Sequence, residues 1–125
     1  MSQDIARRLY DAFNRRDFDA LTAVIAPDAV WAVVTTGVSG PGRESVLAWA
    51  RATTEQFRDA RIEVTSAYEH GTSCTVEFLL LATHPSGTPL SIATCEILVF
   101  RNDQIVSGRV YVDTGAIARQ LAAVK

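Results

Sequence analysis

Four residues near the C-terminal end have the types that move protons: Glu96, Arg109, Tyr111 and Asp113. Asp113 lies in RVYVDTGAIARQL (Arg109 to Leu121), where a strand stops and an amphipathic helix carrying Ile117, Leu121 and Val124 starts. A carboxylate there has two possible jobs. It can cap the helix by accepting from the free N–H groups of its first turn, a contribution of ~1 kcal/mol. It can also stand at the rim of a sheet, held by rigid structure, as a general acid or base.

The strands that position these groups follow from one turn. Asn102-Asp103 suits a tight hairpin, and symmetric pairing across it puts Phe100 opposite Ile105, Glu96 opposite Arg109, Thr94 opposite Tyr111 and Ile92 opposite Asp113. A symmetric loop between His84 and Leu90 then places Phe78 opposite Glu96. One sheet face is expected to hold Phe78, Leu80, Thr94, Glu96, Leu98, Arg109, Tyr111 and Asp113. The other is expected to hold Leu79, Leu81, Ala93, Cys95, Ile97, Val99, Val110 and Val112. A single β-bulge would swap every assignment beyond it. Acidic groups on a core-facing surface must be paired, protonated or beside water. Two arrangements satisfy that: an internal Glu96–Arg109 ion pair with a capping Asp113, or polar groups lining a hollow that the helices leave unfilled.

Upstream, Ile5, Leu9, Ala12 and Phe13 make one helical stripe over Ser2 to Asn14, and Asp17 caps a second helix carrying Leu21, Val24 and Ile25, which Pro27 ends. Asp28 to Val34 reads as a strand and the glycine-rich Thr35 to Gly42 as a loop. Arg43 to Phe57 is a third helix, burying Val46, Trp49, Ala50, Thr53 and Phe57. Alternation at Ile62, Val64, Ser66 and Tyr68 opens a meander that continues over Thr72–His84, Leu90–Arg101 and Ile105–Val112. Helices segregated from an antiparallel meander mean an α+β domain, residues 1–125 forming one unit.

The 125 residues are 48% hydrophobic and 21% charged, with a net charge of −2. That balance fits a globular chain and lacks the basic face that nucleic acid requires. No apolar run is long enough for a membrane span, and MSQDIARRL carries charge from Asp4 with no apolar signal core. The expected location is the cytoplasm, where Cys74 and Cys95 stay reduced; the pairing puts them on opposite faces, against a disulfide. His70 and His84 lack the spacing of a metal site, and Gly37, Gly40 and Gly42 lack the pattern of a phosphate loop. No metal and no cofactor is expected. Both sheet faces are apolar and one helical layer covers one, so a homodimer through the outer face is expected.

The element order resembles the nuclear transport factor 2-like superfamily, and within it the SnoaL-like polyketide cyclases and ketosteroid isomerases. The match is carried by IARRLYDAFNRRDFDALTAVIAPDAVW (Ile5 to Trp31), GRESVLAW (Gly42 to Trp49) and FRNDQIVSGRVYVDTGAIARQL (Phe100 to Leu121). It implies a cone-shaped α+β barrel: three helices from the N-terminal half packed on a curved antiparallel sheet, a short C-terminal helix, a deep apolar pocket and a dimer. SnoaL-like cyclases place an acid–base Asp in a D-x-x-x-L-x-x-QL context, which Asp113, Ile117 and Gln120-Leu121 occupy. The resemblance thus implies cofactor-free aldol ring closure of an apolar, oxygenated molecule such as a polyketide. Such chemistry needs a carboxyl whose pKa is raised by apolar surroundings.

The chain departs from the ketosteroid isomerases. Their base has no counterpart in Trp31 to Thr35, and their first-helix Tyr falls on Leu9, with Tyr10 one place off. Only their second acid is matched, by Glu96. The expected catalytic set is Asp113 as acid/base with Tyr111 and Glu96 as partners. The expected binding residues are Tyr10, Trp31, Trp49, Phe57, Phe78 and Arg109. Two alternatives are a non-catalytic dimeric binding or scaffold domain, and an epoxide hydrolase of the limonene-epoxide hydrolase type built on Glu96, Arg109 and Asp113.

Overall fold

The computed structural model describes residues 2–124. Its order is α1 (Ser2–Arg15), α2 (Phe18–Ala23), β1 (Ile25–Val33), β2 (Val38–Pro41), α3 (Gly42–Gln56), β3 (Arg61–His70), β4 (Ser73–Thr83), β5 (Pro89–Arg101), β6 (Gln104–Val112) and α4 (Thr114–Ala122). The α+β class is as expected from the sequence. Ile5, Leu9, Ala12 and Phe13 of α1 are all buried, the stripe read from their spacing. Asp17 caps α2 by accepting from the Ala20 N–H at 3.1 Å, and Arg16 makes the tight bend between the helices at φ 60°. Among the described residues no helix is long and apolar enough to cross a membrane.

The strands form one sheet in the order β2-β1-β6-β5-β4-β3. The β3 to β6 meander is antiparallel, and β1 joins it parallel to β6. The sheet is therefore mixed, and it stays open, with β2 and β3 at its edges. The glycine-rich stretch expected as pure loop contributes β2, which pairs Gly40 with Trp31 and Val38 with Val33. Ile25, expected at the end of the second helix, instead opens β1.

Two registers differ from symmetric hairpins. Between β4 and β5, Phe78 lies opposite Thr94 rather than Glu96, a slip of two that leaves every side chain on its expected face. Between β5 and β6, Phe100 pairs with Ile105 but Val99 pairs with Ser107, so Val106 is an extra residue. Beyond that bulge Glu96 faces Val110, Cys95 faces Tyr111 and Ile97 faces Arg109. The cause is packing. Ile105 and Gly108 are both buried yet three positions apart, a spacing that strict alternation cannot put on one face. The bulge thus corrects the face expected for Arg109, Tyr111 and Asp113, and turns Val110 and Val112 toward the helices in place of the first two.

The core lies between α1, α3 and the covered sheet face, where Cys74, Val76, Phe78, Leu98, Phe100 and Ile105 are buried. Cys74 is buried there and Cys95 is half-buried on the opposite face; both are free thiols.

Candidate functional site

The helices do not fill the space they enclose. A cavity of about 440 Å³ lies between α1, α3, α4 and the sheet, its wall mostly aliphatic and aromatic. Six of the residues expected around a pocket line it: Tyr10, Trp31, Trp49, Phe57, Phe78 and Glu96. The ring of Tyr10 lies 5.3 Å from that of Phe78, and Trp49 stacks on Phe13 at 5.2 Å. Val110 and Val112, delivered by the bulge, complete the β6 side.

Glu96 is the polar centre of this wall. It is 6% exposed, the only buried charged-type residue among those described. Each carboxyl oxygen accepts one hydrogen bond: the Tyr10 hydroxyl donates to Oε1 at 2.7 Å, and the Trp31 indole N–H donates to Oε2 at 3.1 Å. Burial pushes the Glu96 carboxyl above the usual carboxylate range, and the two donors pull it back only in part. Burial, then the adjacent Glu96, hold the Tyr10 phenol well above its ordinary 10.0, so it remains a donor.

Three elements converge to make this triad. Glu96 comes from the middle of β5, Tyr10 from the core stripe of α1, and Trp31 from β1, two strands away with β6 between. The indole reaches Glu96 by crossing β6 at Gly108, where any Cβ would stand 2.3 Å from the ring. Gly108 was not singled out in the sequence, although a glycine inside a strand is a recognised mark of close approach.

The other expected site residues lie elsewhere. Asp113 caps α4, its Oδ1 accepting from the Ala116 N–H at 2.9 Å while Oδ2 lies 3.6 Å from Arg119. Its side chain is 65% exposed and does not line the cavity. Tyr111 is 38% exposed on the outer face, and Arg109 is exposed beside Ile97 there. The internal Glu96–Arg109 pair does not form, and the acid–acid–arginine set of an epoxide hydrolase does not assemble.

From α4 the cavity wall receives Ile117, Gln120 and Leu121. Gln120 clasps the backbone of Ser91, accepting from its N–H at 2.9 Å and donating to its C=O at 2.7 Å. Beyond the last β5–β6 pair at Thr94 and Val112, the carboxamide continues the pairing that β6 no longer supplies. Gln120 entered the sequence reading only as part of a motif.

A model of the SnoaL-like domain matches residues 6–108, most of the chain. The chain belongs to the SnoaL-like family. No curated protein sequence matches this SnoaL-like domain. Among solved structures, it is similar to wild-type IdmH, a candidate polyketide cyclase from Streptomyces antibioticus. The two share 25% identity over 97% of this chain and 98% of that one, with a TM-score of 0.86. A candidate SnoaL-like polyketide cyclase from Shewanella denitrificans aligns at 15% identity over 97% and 96% of the two chains, with a TM-score of 0.81. An LEH-like epoxide hydrolase from M. tuberculosis aligns at 15% identity over 97% and 89%, with a TM-score of 0.80. The last two likenesses bear on the fold of the SnoaL-like domain alone.

Proposed function

We propose that this SnoaL-like protein binds an apolar, oxygenated small molecule in the cavity and moves protons on it through Glu96. One observation carries the proposal: a single buried carboxyl, raised in pKa by its surroundings, stands in the wall of an otherwise apolar cavity. A carboxyl of that kind exchanges protons closer to neutral pH than an exposed one. In an aldol ring closure Glu96 takes a proton from carbon beside one carbonyl, and that carbon forms a bond to a second carbonyl carbon. Glu96 then returns the proton to the resulting alkoxide. Tyr10 and Trp31 hold the carboxyl in place throughout, and the apolar wall keeps the substrate folded. Reactions of this type proceed without a cofactor. The likeness to IdmH supports this assignment. Asp113 has no part in it, since its carboxylate is committed to α4.

Exchange of deuterium into the acidic C–H of 1-phenylbutane-1,3-dione, followed by proton NMR, tests the chemistry. Exchange faster than in buffer is expected with the wild type and with Asp113→Asn, and buffer-level exchange with Glu96→Gln. Buffer-level exchange with the wild type favours the second reading, a non-catalytic binding domain. That reading has its own support, because both Glu96 oxygens already have partners.

The uncovered outer face, with Leu79, Leu81, Ile97 and Val99 half-buried, supports a homodimer through it. Sedimentation equilibrium is expected to return twice the monomer mass of 13.6 kDa, and Leu81→Glu to return the monomer.

A further inference from the structure

The two donors on the Glu96 carboxyl suit a charged state that the protein itself does not balance. An N–H and an O–H donor, one on each oxygen, favour the ionised form. A buried carboxylate also needs a cation. None is supplied: no lysine, arginine or histidine lines the cavity, and no described salt bridge reaches Glu96. The titratable groups that interact with it are Tyr10 from α1 and the adjacent Cys95, both pushed above their ordinary values, and the neighbouring Glu77 on β4 is a further acid, so none is a cation. Each carboxyl oxygen has two lone pairs, so one on each remains after Tyr10 and Trp31 are served. The rest of the wall includes Tyr10, Trp31, Trp49, Phe57 and Phe78, rings that shelter hydrocarbon and whose faces attract cations.

We propose that the cavity takes an apolar amine as its ammonium ion, the charged head against Glu96 and the hydrocarbon body against the aromatic wall. This rests on the reading of the cavity as a ligand site, and is independent of any proton transfer to carbon. An ammonium seated against Glu96 favours its ionised form. The same wall turns away anionic ligands, which would meet a carboxyl and no donor of positive charge.

Three probes with one ring and different heads separate the possibilities: cyclohexylmethylamine, cyclohexylmethanol and cyclohexanecarboxylate, titrated by calorimetry into the full-length wild type at pH 7. The amine is expected to bind at least about tenfold tighter than the alcohol. The carboxylate is expected not to bind. Glu96→Gln is expected to bind amine and alcohol equally. Alcohol binding as tight as amine binding in the wild type overturns the proposal while leaving the cavity a ligand site. An amine preference that survives Glu96→Gln also overturns it. If none of the three binds, the proposal and the ligand-site reading fall together.

Discussion

The cavity wall at Glu96 and the rim at Asp113 lie close along one hairpin, and each presents a carboxyl beside apolar residues. Their surroundings make them different chemical objects. Glu96 is enclosed, held by two neutral donors and pushed toward its protonated form. Asp113 is exposed, holds a helix N-terminus and has Arg119 nearby. A carboxyl's usefulness for proton transfer depends on what surrounds it more than on where a motif puts it.

Substitutions can sharpen that contrast. The largest effect is expected from Gly108→Ala, whose new methyl would overlap the Trp31 ring, with 2.3 Å to the nearest atom. Overpacking of this kind costs about 1–3 kcal/mol, measured by urea unfolding, and displaces the indole N–H from Glu96. A stability unchanged within error would mean that the ring moves freely and that the Glu96 setting is soft.

A second effect appears in the pH dependence of stability. The folded-state pKa of Glu96 is raised from 4.5, so the folded protein binds more protons than the unfolded chain in the window above that value. Stability from this group is therefore full below about pH 4.5 and declines as pH rises through the raised value, by at most about 1.4 kcal/mol per pH unit. The difference between wild type and Glu96→Gln isolates it. A difference that stays flat from pH 4 to pH 8 would break the contrast between the two carboxyls.

The rim is expected to respond least. Asp113→Ala removes a helix cap and costs about 1 kcal/mol, felt mainly as faster amide exchange in α4. Asp113→Asn, which keeps a capping oxygen, costs a few tenths of a kcal/mol. Neither is expected to alter ligand affinity in the cavity. A tenfold loss of binding with Asp113→Asn would reinstate that carboxyl as part of the site.

The α1 stripe, the Asp17 cap, the Asn102-Asp103 turn and the long meander were all legible in the sequence, because each rests on local periodicity or turn chemistry. Tyr10, Trp31, Trp49, Phe57 and Phe78 were named from the sequence and do line the cavity, though Tyr10 was not among the residues of the α1 stripe there. What local pattern could not supply was parity. Val106 adds one residue, and alternation beyond it reverses without any change in composition, which is why Arg109, Tyr111 and Asp113 were expected on the wrong side. The Trp31 to Glu96 contact was hidden for a related reason. It spans three adjacent strands and depends on an absent side chain at Gly108.

The extra residue in β6 also works as a gear. Were Val106 drawn into the ladder opposite Val99 instead of bulging, the segment after it would move one step along β5, with Arg109 opposite Glu96 and Tyr111 opposite Thr94. Its guanidinium and phenol would then rotate inward as two valines rotated out. A greasy enclosure would become one bearing a fixed positive charge next to Glu96, through the smoothing of one bulge and no change at the lining positions. Descendants of such a scaffold can thus exchange the chemistry of their interior by making or losing a bulge at a place that touches no ligand.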